Sequence, residues 1–267
     1  MKFVLQVIKE QLMSLHLIFR LAGYEIKSTY QMHYLGIVWQ FLNPAIQICA
    51  YWFVFGLGIR GGEPIGGDPF FVWLIVGIIP WFFISSSITQ GSNSVYSKVG
   101  LVSKMNFPIS VLPSITIAKN FYNFLMLSVV VAIILFGFHL NPGIYLIELP
   151  YYIFATVFFL FSLTILTSTI SVLVRDFQTA INSVIRLLMF LTPIMWDSHK
   201  LSGSLYNILR LNPLFYLVDG FRNCLLRHKW FFEDPRLTLY FWCFTLLVLF
   251  TGAFMHLKFR DKFVDYL

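Results

Sequence analysis

Six apolar stretches, each of about 20 residues or more, recur along this 267-residue chain and constrain its fold more than any other feature. They cover residues 35–59, 70–89, 115–138, 149–174, 177–196 and 237–257. A helix of about 20 residues crosses a hydrocarbon core about 30 Å thick, and there each backbone N–H and C=O must find its partner internally. Continuous apolar runs of that length specify helices, not the shorter alternating strands of a barrel. The expected class is an all-α integral membrane protein with six transmembrane helices. Composition agrees: 58% of the residues are hydrophobic and 12% are charged, against about 25% charged in a soluble domain. Cys49, Cys224 and Cys243 are too scattered for a metal site or a disulfide framework. The net charge of +7 is that of basic loops at a membrane surface, and no nucleic-acid partner is expected.

An even number of spans leaves both termini on one side, and charge decides which. Lys2, Lys9, Arg20 and Lys27 precede span one, and Lys98 and Lys104 follow span two. Arg175 follows span four, and Lys258, Arg260 and Lys262 follow span six. The opposite short loops, RGGEPIGGDP and HLNPGIYLIE, hold a single basic residue, Arg60. The positive-inside rule therefore places both termini in the cytoplasm. The segment after span five runs against this, with Lys200, Arg210, Arg222, Arg227, Lys229 and Arg236 on the outer side. Asp197, Asp219, Glu233 and Asp234 offset part of that charge.

Three further segments complete a single transmembrane domain over residues 1–267. In residues 1–33, Val4, Ile8, Leu12, Leu15 and Phe19 recur at spacings of three or four, with Lys9 and Glu10 off that face. This pattern predicts an amphipathic helix lying on the cytoplasmic surface. The same stretch lacks the compact apolar core and small-residue cleavage site of a signal peptide. Residues 92–108 form a cytoplasmic loop long enough for a short helix that stops before Pro108. In residues 197–235, the apolar run 214–226 is too short to span and predicts a re-entrant or interfacial helix on the outer side. Spans one to five thus occupy 35–196, span six 237–257, and a cytoplasmic tail 258–267.

Chemistry-bearing motifs are sparse. The glycine-rich GLGIRGGEPIGGDP has no lysine-serine or lysine-threonine ending and sits in an outer loop, so it reads as a turn and not a nucleotide loop. A proton-driven carrier needs an acid or histidine within the slab, yet Glu148, His139 and His199 all lie at outer span ends. An enzyme needs convergent acid, base or metal groups, and Asp197 with His199 is the nearest approach to such a set.

Polar residues inside spans are more informative. Gln40, Asn43, Gln47 and Tyr51 share one face of span one, and Arg175, Gln178, Asn182 and Arg186 share one face of span five. Eleven residues of helix advance roughly 16 Å, so with Arg175 at the surface Arg186 lies near mid-membrane. An arginine there costs about 3 kcal/mol if it faces lipid. Two readings fit the stripes: the walls of a hydrated path, or hydrogen-bonded glue between helices. Trp39, Tyr51, Trp52, Trp73, Trp81 and Trp196 sit mostly near span ends, as interfacial belts do. Phe41, Phe55 and Phe190 lie inside spans, where a glycan conduit could use them.

This combination of amphipathic N-terminal helix, six spans, a cytoplasmic loop after span two and a hydrophobic hairpin before span six resembles the permeases of type-2 ABC exporters. YLGIVWQFLNP (34–44) is similar to their polysaccharide-exporting branch. YWFVFGLGIR (51–60), SKMNFPISVLP (103–113), LTSTISVLVRD (166–176) and RDKFVDYL (260–267) resemble the wall teichoic acid exporter permease of Gram-positive bacteria more closely still. The likeness covers nearly the whole chain. It implies a non-enzymatic permease of the bacterial cytoplasmic membrane, two copies of which pair with two copies of a separate ATPase subunit that binds ATP and Mg. Val95, Tyr96, Lys98, Val99, Leu101 and Val102, with Arg175 and Asp176, would couple to that ATPase, beside the N-terminal interface helix. Spans one and five would line the channel through Gln40, Phe41, Asn43, Gln47, Tyr51, Phe55, Gln178, Asn182, Arg186 and Phe190. Pro213, Phe215, Tyr216 and Phe221 would form an outer gate. The implied cargo is lipid-linked wall teichoic acid, with O-antigen or capsular polysaccharide as the alternative. Arg186 suits a phosphate polymer through bidentate hydrogen bonds. A membrane glycosyl- or phosphotransferase and a secondary carrier are the rival classes.

Overall fold

The computed structural model describes residues 2–30, 34–102, 108–197 and 203–263, with the side chains of residues 30, 99–102 and 262 outside that description. Among the described residues the chain is helical, and the one pairing of extended backbone is the bridge between Ile65 and Asp68. Helices α1 (Lys2–Met13) and α2 (Leu15–Tyr30) lead into α3 (Trp39–Tyr51), which a tight turn at Gly36–Val38 and a wide turn at Trp52–Ile59 extend at both ends. There follow α4 (Phe70–Ser92), α5 (Ser94–Val102), α6 (Leu112–Gly137) and α7 (Leu149–Leu173). Helices α8 (Phe177–Leu191), α9 (Gly203–Arg210), α10 (Pro213–Arg222) and α11 (Pro235–Phe259) complete the chain.

Five helical stretches are long and apolar enough to cross a membrane: Gly36–Ile59, Phe70–Ser92, Ile109–Gly137, Gly143–Leu173 and Pro235–Phe259. The fifth span read from the sequence is different. Helix α8 has 15 residues, about 22 Å, which falls short of a slab about 30 Å thick. It ends at Leu191 and not Trp196, because the residue before a proline is pushed out of helical geometry. Thr192, before Pro193, is extended at φ −83° and ψ 134°.

The N-terminal stripe also divides. The amphipathic segment is two helices broken at Ser14. Val7, Ile18 and Ala22 are buried against the bundle, while Leu12, Leu15 and Phe19 stay exposed. Leu12, Leu15 and Phe19 line an apolar groove with Ile117 and Phe121 of α6 and Phe158 of α7. Glu10 accepts from Arg260 at 3.1 Å and from the Ser110 hydroxyl, which brings α1 beside the end of α11 and the start of α6.

Helix α4 is the central post: 78% of its most apolar stretch is buried, against 11% for Gly36–Ile59. Helices α6, α7 and α10 pack around α4, and α11 lies along α7. Helix α10 approaches closely enough to need glycine. A Cβ at Gly220 would collide with the Tyr152 ring of α7, and one at Gly77 of α4 would collide with the Arg222 guanidinium. The apolar run 214–226 is thus a short packed helix, prolonged by a wide turn at Asn223–Arg227 and stopped by His228 at φ 54°. Asp68, in the loop before α4, lies near His228 and Arg227, which pull its carboxyl down; burial outweighs them and raises it above the usual carboxylate range.

Candidate functional site

The two polar stripes meet at α4. One cavity of about 460 Å³ is lined by Gln47 of α3, by Ser85, Ser86, Thr89 and Gln90 of α4, and by Asn182 and Arg186 of α8. A second, of about 310 Å³, runs inward between α3, α4 and α6 past Gln40, Asn43, Asn120 and Asn123. Gln47, Phe82, Ser85 and Ser86 line both, so the two cavities adjoin and together make a polar cleft. Ser85 and Ser86 supply the polar floor on α4, whose apolar first two-thirds give way to SSSITQGS at residues 85–92.

Within this cleft the candidate residues do different things. Asn43 and Gln47 are exposed along its mouth, while Gln40 is buried. Arg186 is exposed on the open side and makes no ion pair among the described residues. Asn182, half-buried, accepts from Gln178 at 3.5 Å. Gln178 also donates to the Thr89 carbonyl at 2.9 Å and accepts from the Ser92 hydroxyl at 2.7 Å, so it ties the start of α8 to the end of α4. The Tyr51 hydroxyl reaches the Met189 sulfur at 3.8 Å, a weaker tie between α3 and α8. Phe41 and Phe55 pack on the core, and Phe190 is exposed.

Sequence reasoning missed the role of Arg222, which it counted only among the basic residues of the outer side. It is wholly buried. Its guanidinium donates to the carbonyls of Pro193, of Ile194 at 2.7 Å and of Trp73 at 3.4 Å, and lies 4.0 Å from the Trp73 ring centre. It fastens the unwound end of α8 to α10 and α4. Arg227 covers the same tryptophan at 4.8 Å and pairs with Asp219 at 2.8 Å. The available signal was an arginine inside an apolar run, downstream of a proline that exposes carbonyls. Of the gate candidates, Pro213 is half-buried, and Phe215, Tyr216 and Phe221 are core residues. Tyr216 stacks on Phe241 at 4.6 Å and its hydroxyl lies 2.7 Å from that of Tyr151.

Beside α2 and the start of α6, α5 is held by its inner face. Val95 is fully buried with Ile18, Ala22, Leu112, Val172 and Phe263. Tyr96 is half-buried and Arg175 lies 6.0 Å from its ring. Lys98 pairs with Glu25. Arg175 and Asp176 are exposed, and the side chains of Val99, Leu101 and Val102 lie outside those described. Of the acid-base pair considered for an enzyme, Asp197 is half-buried and His199 lies outside the described residues. Among the described residues no group of His, Cys, Asp or Glu is placed to hold a metal ion.

Helices long enough to cross a bilayer, with a polar cleft between them, define an integral membrane protein. The chain belongs to the ABC-2 type transporter family, whose model matches residues 16–226. Members of this family are integral membrane permeases, not ATPases, and work with ABC ATPase partners. Its curated relatives include an O-antigen export system permease protein RfbA of Myxococcus xanthus, 25% identical over 238 residues, which covers 88% of this chain and 90% of that protein. A protein of the same name from Klebsiella pneumoniae is 27% identical over 237 residues, again covering 88% and 90%. These relatives carry the name of O-antigen export and not that of teichoic acid.

Proposed function

We propose that two copies of this chain form the membrane path of an ATP-driven exporter that moves a lipid-linked polysaccharide across the bacterial cytoplasmic membrane. ATP and Mg belong to two copies of a separate ATPase subunit. The observation that carries this reading is the cleft, where an exposed arginine and a row of amides and hydroxyls interrupt apolar helices. Against lipid, Arg186 is destabilised by about 3 kcal/mol; against a hydrated path for a polar chain, that penalty disappears. The cleft is completed by Gly36–Ile59 and by α8, the short sixth crossing, which residues 192–197 prolong.

Both termini are assigned to the cytoplasm. The six basic residues after span five, which argued against this, hold less free charge than their number suggests. Arg222 is buried, Arg210 pairs with Asp234 and Arg227 pairs with Asp219. In that orientation α5, Arg175 and Asp176 face the ATPase, and α9 with α10 forms a re-entrant outer gate. Because Phe215, Tyr216 and Phe221 are packed, the gate moves as a body and not by swinging loose side chains.

The relatives' names favour an O-antigen type of cargo. Wall teichoic acid is the second reading, favoured by Arg186, since a cation on the path suits phosphate-linked units. The test is to tag the chain, extract it gently from its native membrane and identify what comes with it. A stoichiometric partner carrying a nucleotide-binding loop is expected, with ATP-dependent export of polymer on reconstitution. A chain that purifies alone and transports or reacts without ATP overturns the reading, in favour of a secondary carrier or a transferase.

A further inference from the structure

We infer that the inner cavity between α3, α4 and α6 is a subsite for a neutral, hydroxyl-rich group, a sugar or polyol unit of the cargo; this inference rests on the export reading. Gln40 and Asn120 are 7% and 4% exposed, yet among the described residues neither amide atom of Gln40 nor Asn120 Nδ2 has a hydrogen-bond partner. Asn123 Oδ1 is likewise unpaired, and all three side chains line the same space of about 310 Å³. Buried polar side chains are nearly always paired, so four orphan atoms round one cavity point to a polar occupant. Pro44 adds to this: it has no N–H, so the Gln40 carbonyl loses its helical donor.

The lining selects the occupant's chemistry. The orphans are two donors, Gln40 Nε2 and Asn120 Nδ2, and two acceptors, Gln40 Oε1 and Asn123 Oδ1. A hydroxyl both donates and accepts, and so matches this mixture. A phosphate or carboxylate accepts only and would leave both acceptors unpaired; an ammonium would leave both donors unpaired. Among the described residues no charged side chain lines the cavity, and Trp39 and Phe82 add flat apolar walls of the kind that seat the C–H face of a ring. The volume lies at the small end of the range for ligand sites. Entry is by way of Gln47, Ser85 and Ser86, shared with the outer cleft where Arg186 sits. Charge and hydroxyls of a passing polymer would then be read at adjoining places.

The experiment uses the full chain in lipid nanodiscs and saturation-transfer NMR, with methyl α-D-mannopyranoside as neutral probe and sn-glycerol 3-phosphate as charged probe. Wild type is compared with Gln40→Leu and Asn120→Leu, which replace orphan polar groups by apolar groups of similar shape and so should fold. Tyr122→Phe, on the exposed face of α6, is the control. The expected result is a ring-proton signal from the mannoside that falls at least about fivefold in either leucine variant, the equivalent of one hydrogen bond, and is unchanged in the control. If a leucine variant does not fold, Ser86→Leu at the half-exposed mouth supplies the comparison. No mannoside signal on the wild type, as for a cavity holding water alone, overturns the inference. So does a signal the variants leave intact, or one sensitive to them only with glycerol phosphate. Binding is read without ATPase or transport, so its failure is separate from failure of the export reading.

Discussion

Arg186 and Arg222 both sit among apolar residues, and they are expected to answer opposite questions. Arg222 is bonded to three carbonyls and lies over the Trp73 ring, so its removal leaves buried acceptors unpaired. Arg222→Met should destabilise the purified chain by about 3 kcal/mol or more, read as a lower melting temperature in detergent. Arg222→Lys should rescue little, because a single ammonium cannot reproduce the planar fork. Arg186 is exposed and makes no ion pair among the described residues, so Arg186→Gln should change stability by no more than about 0.5 kcal/mol while reducing export at least about tenfold. Unchanged export in Arg186→Gln would remove Arg186 from the path. The spacing of Gln178, Asn182 and Arg186 made one arginine legible from the sequence, since a helical face is a local property. Nothing local marks the other. Its partner Trp73 is 149 residues away, and its other acceptors are carbonyls that become available only where α8 unwinds.

Helices of this chain were readable where hydropathy alone decides, and misread where backbone geometry decides. Apolar runs located α4, α6, α7 and α11 because burial in lipid or protein asks the same of each side chain. The end of α8 was overrun because the apolar run continues to Trp196, while Pro193 stops the helix. The seating of α10 was invisible for a related reason: it depends on the missing side chain of Gly220, a close approach that no hydropathy scale records. Gly220→Ala should therefore force α10 off α7, with a cost of about 1–3 kcal/mol for overpacking against Tyr152. Thermal unfolding of the variant measures it, and Gly220→Ala combined with Tyr152→Leu should recover part of the loss. Full stability in Gly220→Ala alone would mean that α10 is seated loosely enough for its side chains to swing, contrary to a gate moving as a body.

At the scale of the whole molecule, exposed apolar surface does not say where a second copy docks, because lipid tails are as apolar as leucine. Polar exposure does. The outward face of α6 shows Tyr122, Leu125, Val129, Ile133 and Phe136, a surface fit for lipid. The open face shared by α3 and α8 mixes apolar residues such as Ile46, Val184 and Leu187 with exposed Asn43, Gln47 and Arg186. Hydrocarbon cannot satisfy those groups, so this face should meet water and another copy of the chain. With Cys49, Cys224 and Cys243 replaced, Val184→Cys or Ile46→Cys should crosslink into a dimer when native membranes are oxidised, and Ile133→Cys should not. Crosslinking at Ile133 without any at Val184 or Ile46 would put α6 at the interface and leave Arg186 facing lipid. The penalty of about 3 kcal/mol would then have no compensation, and the cleft could not be the path.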